Sequence, residues 1–458
     1  MDWSPTLVDR EGPVYRHIAD ALAADIATGR LRRGQQLPTH RALAKALGID
    51  LTTVTRAYTE ARRRGLTEAR VGLGTFVCET LSHVRHAAPP QPAFDLSMNI
   101  PPQPMEADLE GRFMRGMAAI QREVGFSAHL NYREPGGSDA EREIAAEWLR
   151  TRIADARGYR LVICPGTQNA LFNVLVTLMS PGDVVLTEAL TYPGIKAAAA
   201  HTGVRLIGVS MDEAGIIPEA LSTACRQHSP KAVYLIPTIH NPTTATMPLA
   251  RRETVAEILR ANDVLLIEDD AYGMLDTSAV PLASLIPERT YFAASLSKCI
   301  APGLRVSFLV APDNDSAGLL ANALRATVQM PAFLMVALVT RWLQDGSAEA
   351  MIGAIRDEAA ARQKLAAEVL GGHAFSAHPS GHHIWVPLPR SWGRTEFASH
   401  VQRQGLAIVT SETFSAQETR PHAIRVSLGA ASSRYDLVTA LKILAVALNS
   451  SAAATRVV

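Results

Sequence analysis

The sequence is poor in the features that most directly signal function. Its 458 residues hold only four cysteines, Cys78, Cys164, Cys225 and Cys299. None forms a CxxC pair and no spacing outlines a disulfide framework, so neither a zinc site nor a stapled fold is expected. Reduced thiols fit a cytoplasmic protein. Net charge is nearly absent, +1 at neutral pH, which excludes a general polyanion binder. The start, Met1-Asp2-Trp3-Ser4-Pro5, lacks the basic and apolar regions of a signal peptide. The most apolar stretch, 326–340, contains Gln329 and Pro331 and is too short to span a bilayer. There is no internal repeat and no expectation of a membrane partner. A content of 47% hydrophobic and 19% charged residues is that of a globular protein. The length allows two to four domains at about 150 residues each.

The little excess charge is unevenly spread. Residues 1–80 hold twelve Lys/Arg and nine Asp/Glu, and the remainder holds 33 and 35. In the basic part, Val14, Ile18, Leu22 and Ile26 recur four apart, as on one face of a helix over 14–29. Thr39 can cap a second helix, 41–47, ended by Gly48. A third, 51–64, places Val54, Tyr58 and Ala61 on one face. The period then changes across 66–77, where Gly72 and Gly74 sit among strand-type residues as in a hairpin.

Helix, helix, short turn, helix and hairpin is the order of a winged helix-turn-helix. The residues resemble the GntR family over roughly the first 78 positions: Tyr15-x-x-Ile18-x-x-x-Leu22, Gly34-x-x-Leu37-Pro38-Thr39-x-Arg41-x-Leu43-Ala44, Leu47-Gly48, Thr52-x-Val54-x-Arg56-Ala57-Tyr58 and Gly72-x-Gly74-Thr75-Phe76-Val77. A helix that enters the major groove needs short polar and basic residues at its N-terminus. Thr52, Thr53, Thr55 and Arg56 supply them, with Arg56 the best candidate for a base contact. Arg41 and Lys45 on the preceding helix can meet phosphates, and the wing tip from Arg70 to Gly74 can approach the minor groove. The run Arg62-Arg63-Arg64 either adds to this surface or is a solvated face that complements the helix dipole.

Pro89, Pro90 and Pro92 mark 79–94 as a linker. Beyond it, β-type runs at 160–164, 184–187, 205–209, 232–237 and 264–268 alternate with helical patterns such as 168–179 and 251–261. The fold class expected is α/β, with a mainly parallel sheet covered by helices on both faces. Such sheets bind ligands at the carboxyl ends of their strands.

The densest chemistry lies there, at Ser295-Leu296-Ser297-Lys298, followed by Pro302-Gly303-Leu304-Arg305. A lysine among hydroxyls and an apolar Pro-Gly run is unlike the ordinary solvated surface lysine. Its amine can form a Schiff base with an aldehyde, while Ser295, Ser297 and Arg305 hold a phosphate. Pyridoxal 5'-phosphate (PLP) is an aldehyde that carries a phosphate. Gly166-Thr167-Gln168 opens a helix after a strand, where backbone N–H groups attract phosphate. Asp269, in Glu268-Asp269-Asp270-Ala271-Tyr272, can pair with a protonated ring nitrogen and keep the ring an electron sink. Glu268 and Asp270 are the adjacent alternatives. Asn241, in His240-Asn241-Pro242-Thr243-Thr244, and Tyr272 can each donate to the phenolate oxygen. Tyr192, in Thr191-Tyr192-Pro193-Gly194, can stack on the ring. Arg425 can grip a carboxylate in bidentate fashion.

In this order the segments resemble the fold-type I aminotransferases, from about 95 to 450. The resemblance implies the aldimine at Lys298, the ring-nitrogen partner at Asp269, phenolate contacts from Asn241 and Tyr272, and an α-carboxylate site at Arg425. It implies a large subdomain over about 135–330 and a smaller α+β subdomain from the flanking segments. Tyr132, in Asn131-Tyr132-Arg133-Glu134-Pro135-Gly136-Gly137, is similar to the tyrosine that reaches the phosphate of a neighbouring subunit, which implies a homodimer. The sequence departs from the family's Asn-Pro-Thr-Gly at Thr244, and a changed loop is expected if the glycine supplied a positive φ.

A winged helix over 1–78, a linker over 79–94 and an aminotransferase-like domain over 95–458 together resemble the MocR subfamily of transcription regulators. The resemblance implies a regulator that binds double-stranded promoter DNA and senses an amino acid, an amine or PLP through Lys298. Exchange at the aldimine, with engagement of Arg425, is expected to shift the domains. The alternatives are a working aminotransferase with an attached DNA reader, and a scaffold that has lost the cofactor.

Overall fold

The computed structural model describes residues 3–5, 13–28, 30–32, 34–63, 66–70, 74–78, 92–417 and 421–450. Contacts divide the chain into two units, Met1–Gln91 and Pro92–Val458. Most of the expected linker, Arg64 and Gly72 lie outside the described residues, as do the side chains of Arg63 and Arg70.

In the first unit, α1 (Val14–Ala27), α2 (His40–Leu47) and α3 (Leu51–Arg63) are followed by β1 (Thr67–Arg70) and β2 (Gly74–Val77), an antiparallel pair. The hydroxyl of Thr39 accepts from the N–H of Ala42 and opens α2, and Gly48 ends it at φ 64°, a left-handed position that glycine takes without a Cβ clash. Asp50 accepts from the backbone N–H and the hydroxyl of Thr52, at 2.7 and 2.5 Å, and opens α3. Ile18 and Leu22 of α1 meet Leu43 of α2 and Val54, Ala57, Tyr58 and Ala61 of α3 in one apolar core. Val14, expected on the buried face, is instead exposed.

The second unit is built on seven strands: β3 (Leu161–Cys164), β4 (Val184–Glu188), β5 (Arg205–Val209), β6 (Ala232–Leu235), β7 (Leu265–Asp270), β8 (Thr290–Ser295) and β9 (Ser307–Val310). Their order in the sheet is β3-β9-β8-β7-β6-β4-β5. Every pairing is parallel except the two made by β9. Both faces are covered. Leu161 and Ile163 enter one apolar cluster while Val162 and Cys164 enter another, as the twofold alternation of a strand requires. Strands buried on both faces read as apolar runs, and β3, β4, β6 and β7 are visible in the sequence for that reason; β5, also visible, is a partly buried edge strand. β8 and β9 flank the lysine motif and were not expected as strands. Arg160 belongs to a single 3-10 turn before β3, not to the strand.

After α4 (Thr167–Leu178) and α5 (Leu249–Ala261), the chain leaves the sheet through α6 (Ser347–Val369). It then forms a small antiparallel sheet of β10 (Ser376–Ala377), β11 (His383–Pro387), β12 (Val409–Thr410) and β13 (Ala423–Ser427), backed by α6 and by α7 (Arg434–Asn449). The segment after Pro92 joins this part, because Phe94–Asp95 pairs with Leu406–Ala407.

The departure at Thr244 leaves the loop in the conformation a glycine would favour. Thr244 is buried, sits at φ 67° and donates its N–H to the carbonyl of His240 at 2.7 Å. The loop therefore keeps its left-handed turn and carries a strain of about 1–3 kcal/mol in place of a changed path.

Arg152 and Asp270 form a wholly buried ion pair in bidentate geometry, 3.0 and 2.9 Å, and Arg152 also donates to the carbonyls of Asp276 and Ala279. Arg152→Met leaves the carboxylate buried without its hydrogen-bonded partner and is expected to destabilise the second unit by about 3–5 kcal/mol, read from the denaturant midpoint. A loss below about 1 kcal/mol contradicts this account of the pair.

Candidate cofactor and effector site

Strand alternation sorts three consecutive carboxylates. Along β7, Glu268 and Asp270 face one side of the sheet and Asp269 the other. Glu268 accepts from the backbone N–H groups of Leu282 and Ala283, at 3.0 and 2.7 Å, and Asp270 is held by Arg152. Only Asp269 lines the cavity at the carboxyl ends of the strands, so the two alternatives to it are structural. Burial raises the Asp269 carboxyl to about 6, against the pull of the Tyr234 hydroxyl, which donates to it at 2.7 Å.

The cavity has a volume of about 440 Å³. Thr167, Gln168, Tyr192, Asn241, Asp269, Tyr272, Ser295, Ser297, Lys298, Arg305 and Arg425 all line it, brought from five sheet strands, their following loops and β13. Gly166 stands just behind. Its φ is 90°, and a Cβ there would come within 2.3 Å of Nη2 of Arg305, so only glycine lets the guanidinium lie against the start of α4. Arg305 Nη2 donates to the carbonyl of Pro165 at 2.9 Å. Tyr132 does not line the cavity and is 83% exposed.

Lys298 follows β8, and its amine donates to the backbone carbonyl of Asn99. Burial lowers its pKa to about 8, helped by the Arg425 and Arg305 charges and opposed by Asp269. Arg425 is 6% exposed and rests over the ring of Phe414, 4.9 Å from its centroid. It donates to Oδ1 of Asn241 at 2.8 Å and to the carbonyl of Ser97 at 2.6 Å.

The residues present fit PLP. The hydroxyl of Thr167 and Nε of Arg425 are buried polar atoms without a protein partner. One stands at a helix N-terminus beside Arg305, where a phosphate is favoured, and the other on the side wall. Asp269 is a buried carboxylate whose chemistry suits a cationic ring nitrogen.

Sequence reasoning missed a shell of partners. Ser97, Met98, Asn99 and Ile100 form one wall, and Val409, Thr413 and Phe414 another. His382 donates Nε2–H to the carbonyl of Lys298 at 2.6 Å, and burial lowers its pKa to about 4. No motif announces these residues. The one available signal is the polar pair His382-His383 ahead of an apolar strand.

In the first unit, Arg41, Lys45, Thr52, Thr55 and Arg56 are exposed and Thr53 half-buried. Arg56 does not extend freely: its guanidinium lies 4.8 Å from the ring centroid of Tyr15. The hydroxyl of Thr55 is turned to the carbonyl of Leu51 at 2.9 Å, with Nδ1 of His40 at 3.2 Å. Among the described residues no group of three His, Cys, Asp or Glu is placed to hold a metal, and no helix is long and apolar enough to cross a membrane.

A depressed amine has a kinetic consequence. In cofactor-free protein the rate of PLP capture, followed by absorbance, is expected to rise with pH through about 8, as the neutral amine forms. Arg425→Gln removes a charge that favours the neutral form and is expected to move this midpoint upward. A rate that rises only near the pKa of a free lysine contradicts the burial argument.

Residues 91–444 match the family described as aminotransferase class I and II, and residues 14–77 match the bacterial regulatory proteins of the gntR family. The uncharacterized HTH-type transcriptional regulator YdeF of Bacillus subtilis is 29% identical, over 97% of this chain and 96% of its own length. The vitamin B6 salvage pathway transcriptional repressor PtsJ of Salmonella typhimurium is 28% identical, over 91% and 95%. Among solved structures, the α-aminoadipate aminotransferase LysN of Thermus thermophilus, complexed with N-(5'-phosphopyridoxyl)-L-leucine, superposes with a TM-score of 0.71 at 25% identity, covering 78% of this chain and 92% of LysN. The kynurenine aminotransferase of Pyrococcus horikoshii has the same fold, with a TM-score of 0.72 at 23% identity over 78% and 90%. The chain belongs to the aminotransferase class I and II family and, with a gntR-type helix-turn-helix domain ahead of it and PLP as cofactor, is a transcription regulator of the MocR arrangement.

Proposed function

We propose that this regulator holds PLP at Lys298 and reports an amino acid or amine, or PLP itself, to promoter DNA. The observation that carries the reading is the convergence of Lys298, Asp269 and Arg425 on one cavity in a chain that also bears a DNA reader. When bound, PLP supplies an aldehyde that reacts reversibly with amines. Asp269 holds the ring nitrogen, and Asn241 and Tyr272 hold the ring oxygen. Tyr192 lies against the ring. Ser295, Ser297, Arg305 and the N–H groups of Gly166, Thr167 and Gln168 hold the phosphate. Arg425 takes the effector carboxylate, for which its unpartnered Nε is supporting evidence.

Engaging Arg425 competes with the carbonyl of Ser97, in the segment that continues from the connection to the DNA-reading unit. Such a bond shifts promoter binding only as far as the effector binds two arrangements of the protein unequally. Arg41 and Lys45 meet phosphates, Thr52, Thr53, Thr55 and Arg56 face base edges, and Arg70 serves the wing. We place the protein in the cytoplasm as a homodimer in which Tyr132 completes the partner's phosphate site. The exposure of Met105, Leu130 and Tyr132 on one stretch of chain supports a covered surface there. The intact set of cofactor groups also favours a second reading, residual aminotransferase turnover.

Titration of the PLP-bound protein with amino acids and amines, following visible absorbance and promoter binding together, tests the proposal. Coincident midpoints are expected. A spectral change with unaltered promoter binding and steady amino-group transfer to a keto acid establishes the enzyme instead. On the DNA side, Lys45→Ala is expected to weaken binding evenly across sequences and to lower the salt slope by about 1.

A further inference from the structure

Beneath Tyr272 runs a chain of buried polar groups that none of these roles uses. The hydroxyl oxygen of Tyr272 lies 2.7 Å from Nδ2 of Asn99, and the same nitrogen lies 3.0 Å from Nδ1 of His383. Nε2 of His383 faces the backbone carbonyl of His240 at 3.2 Å. The hydroxyl of Ser427 is 3.4 Å from Oδ1 of Asn99. Asn99, Tyr272, His383 and Ser427 are all buried, so water does not compete for these contacts.

The hydrogens along this chain are set from one end. A backbone carbonyl only accepts, so Nε2 of His383 carries a hydrogen. Doubly protonated His383 would be a cation. Burial opposes that first, then the charge of Arg425, with His382 and His240 also facing the ring. Nδ1 is therefore bare and accepts. Asn99 must turn its NH₂ toward it, which fixes the orientation of the amide. The second hydrogen of that NH₂ then points at Tyr272, whose oxygen accepts. The hydroxyl hydrogen of Tyr272 is left for an acceptor in the cavity that Tyr272 lines. The opposite amide orientation would offer Oδ1 to Tyr272 and draw that hydrogen out of the cavity.

We infer that His383 is a positioning residue of the cofactor site, which fixes the Asn99 amide and so aims the Tyr272 hydroxyl at the ring oxygen of PLP. The inference rests on the reading of Tyr272 given above. It also accounts for a histidine, and not an aliphatic residue, at the buried start of β11, where the next position on the same face of the strand is the apolar Trp385.

The test follows the visible absorbance of the PLP-bound protein against pH. A donor at the ring oxygen draws off negative charge and weakens that oxygen's hold on a proton. Tyr272→Phe removes the donor, and the absorbance midpoint is expected to rise by about one pH unit, the size of one lost charge-assisted hydrogen bond. His383→Leu, which removes the acceptor that orients Asn99, is expected to move the midpoint in the same direction. His383→Gln offers a carbonyl to Asn99 and an N–H to His240, and is expected to restore it. The double variant Tyr272→Phe/His383→Leu is expected to match Tyr272→Phe, because the two act through one hydrogen. An unmoved midpoint in His383→Leu, beside a shifted one in Tyr272→Phe, overturns the role of His383. An unmoved midpoint in Tyr272→Phe overturns the reading of Tyr272 instead. Should His383→Leu not fold, Asn99→Leu, which spares the contact of His383 with His240, replaces it with the same two outcomes.

Discussion

An amine cannot be taken out of water as a cation without a partner, and the second unit is arranged around that constraint. Lys298 shares its cavity with two guanidiniums and one carboxylate. Burial and the like charges of Arg425 and Arg305 favour the neutral amine, and Asp269 favours the ammonium. The result is a nucleophile poised near neutral pH, where a surface lysine is almost wholly protonated. The same low-dielectric surroundings make each polar contact in the cavity count for more than it would in water. The carbonyls of Ser97 and Asn99 and the amide of Asn241 therefore define where Lys298 and Arg425 stand.

The sheet supplies the precision. Leu235 of β6 pairs with Glu268 of β7, and Asp270 pairs with Ala294 of β8, so the strand ends that carry Asp269 and lead into Asn241 and Lys298 finish side by side. Alternation on β7 gives one carboxylate to the cavity and leaves its two neighbours to secure the far side, through Arg152 and the N–H groups after Pro281. A site on rigid strand ends holds its groups more closely than one carried by free loops. The first unit is simpler: three helices, two of them opened by a capping side chain, share one apolar core, and the polar face of α3 is left outward.

Much of this was legible in the sequence because it is local. The lysine motif, the strand before Asp269, the Gly-Thr-Gln helix start and the three helices of the winged domain each lie within a few residues. The partners that orient them are not local. Asn99 is 173 residues from Tyr272 and 284 from His383, and Ser97 is 328 from Arg425, so no spacing in the chain links them. β8 and β9 are masked in the sequence by the lysine motif, because β8 ends on its first residue, Ser295, and β9 begins at Ser307, just past Arg305. Thr244 shows the limit of residue rules. A β-branched side chain disfavours positive φ, yet burial and the bond to His240 hold it there. Arg56, the candidate base contact, rests over the half-buried ring of Tyr15 on α1, a contact that no local spacing signals.

The most direct measurement is chemical. Reduction of the PLP-loaded protein with borohydride, followed by peptide mapping, makes permanent whichever bond joins cofactor and chain. The account predicts one modified peptide, with the cofactor's mass on Lys298. A label on any other lysine, or a cofactor washed away unbound, contradicts it.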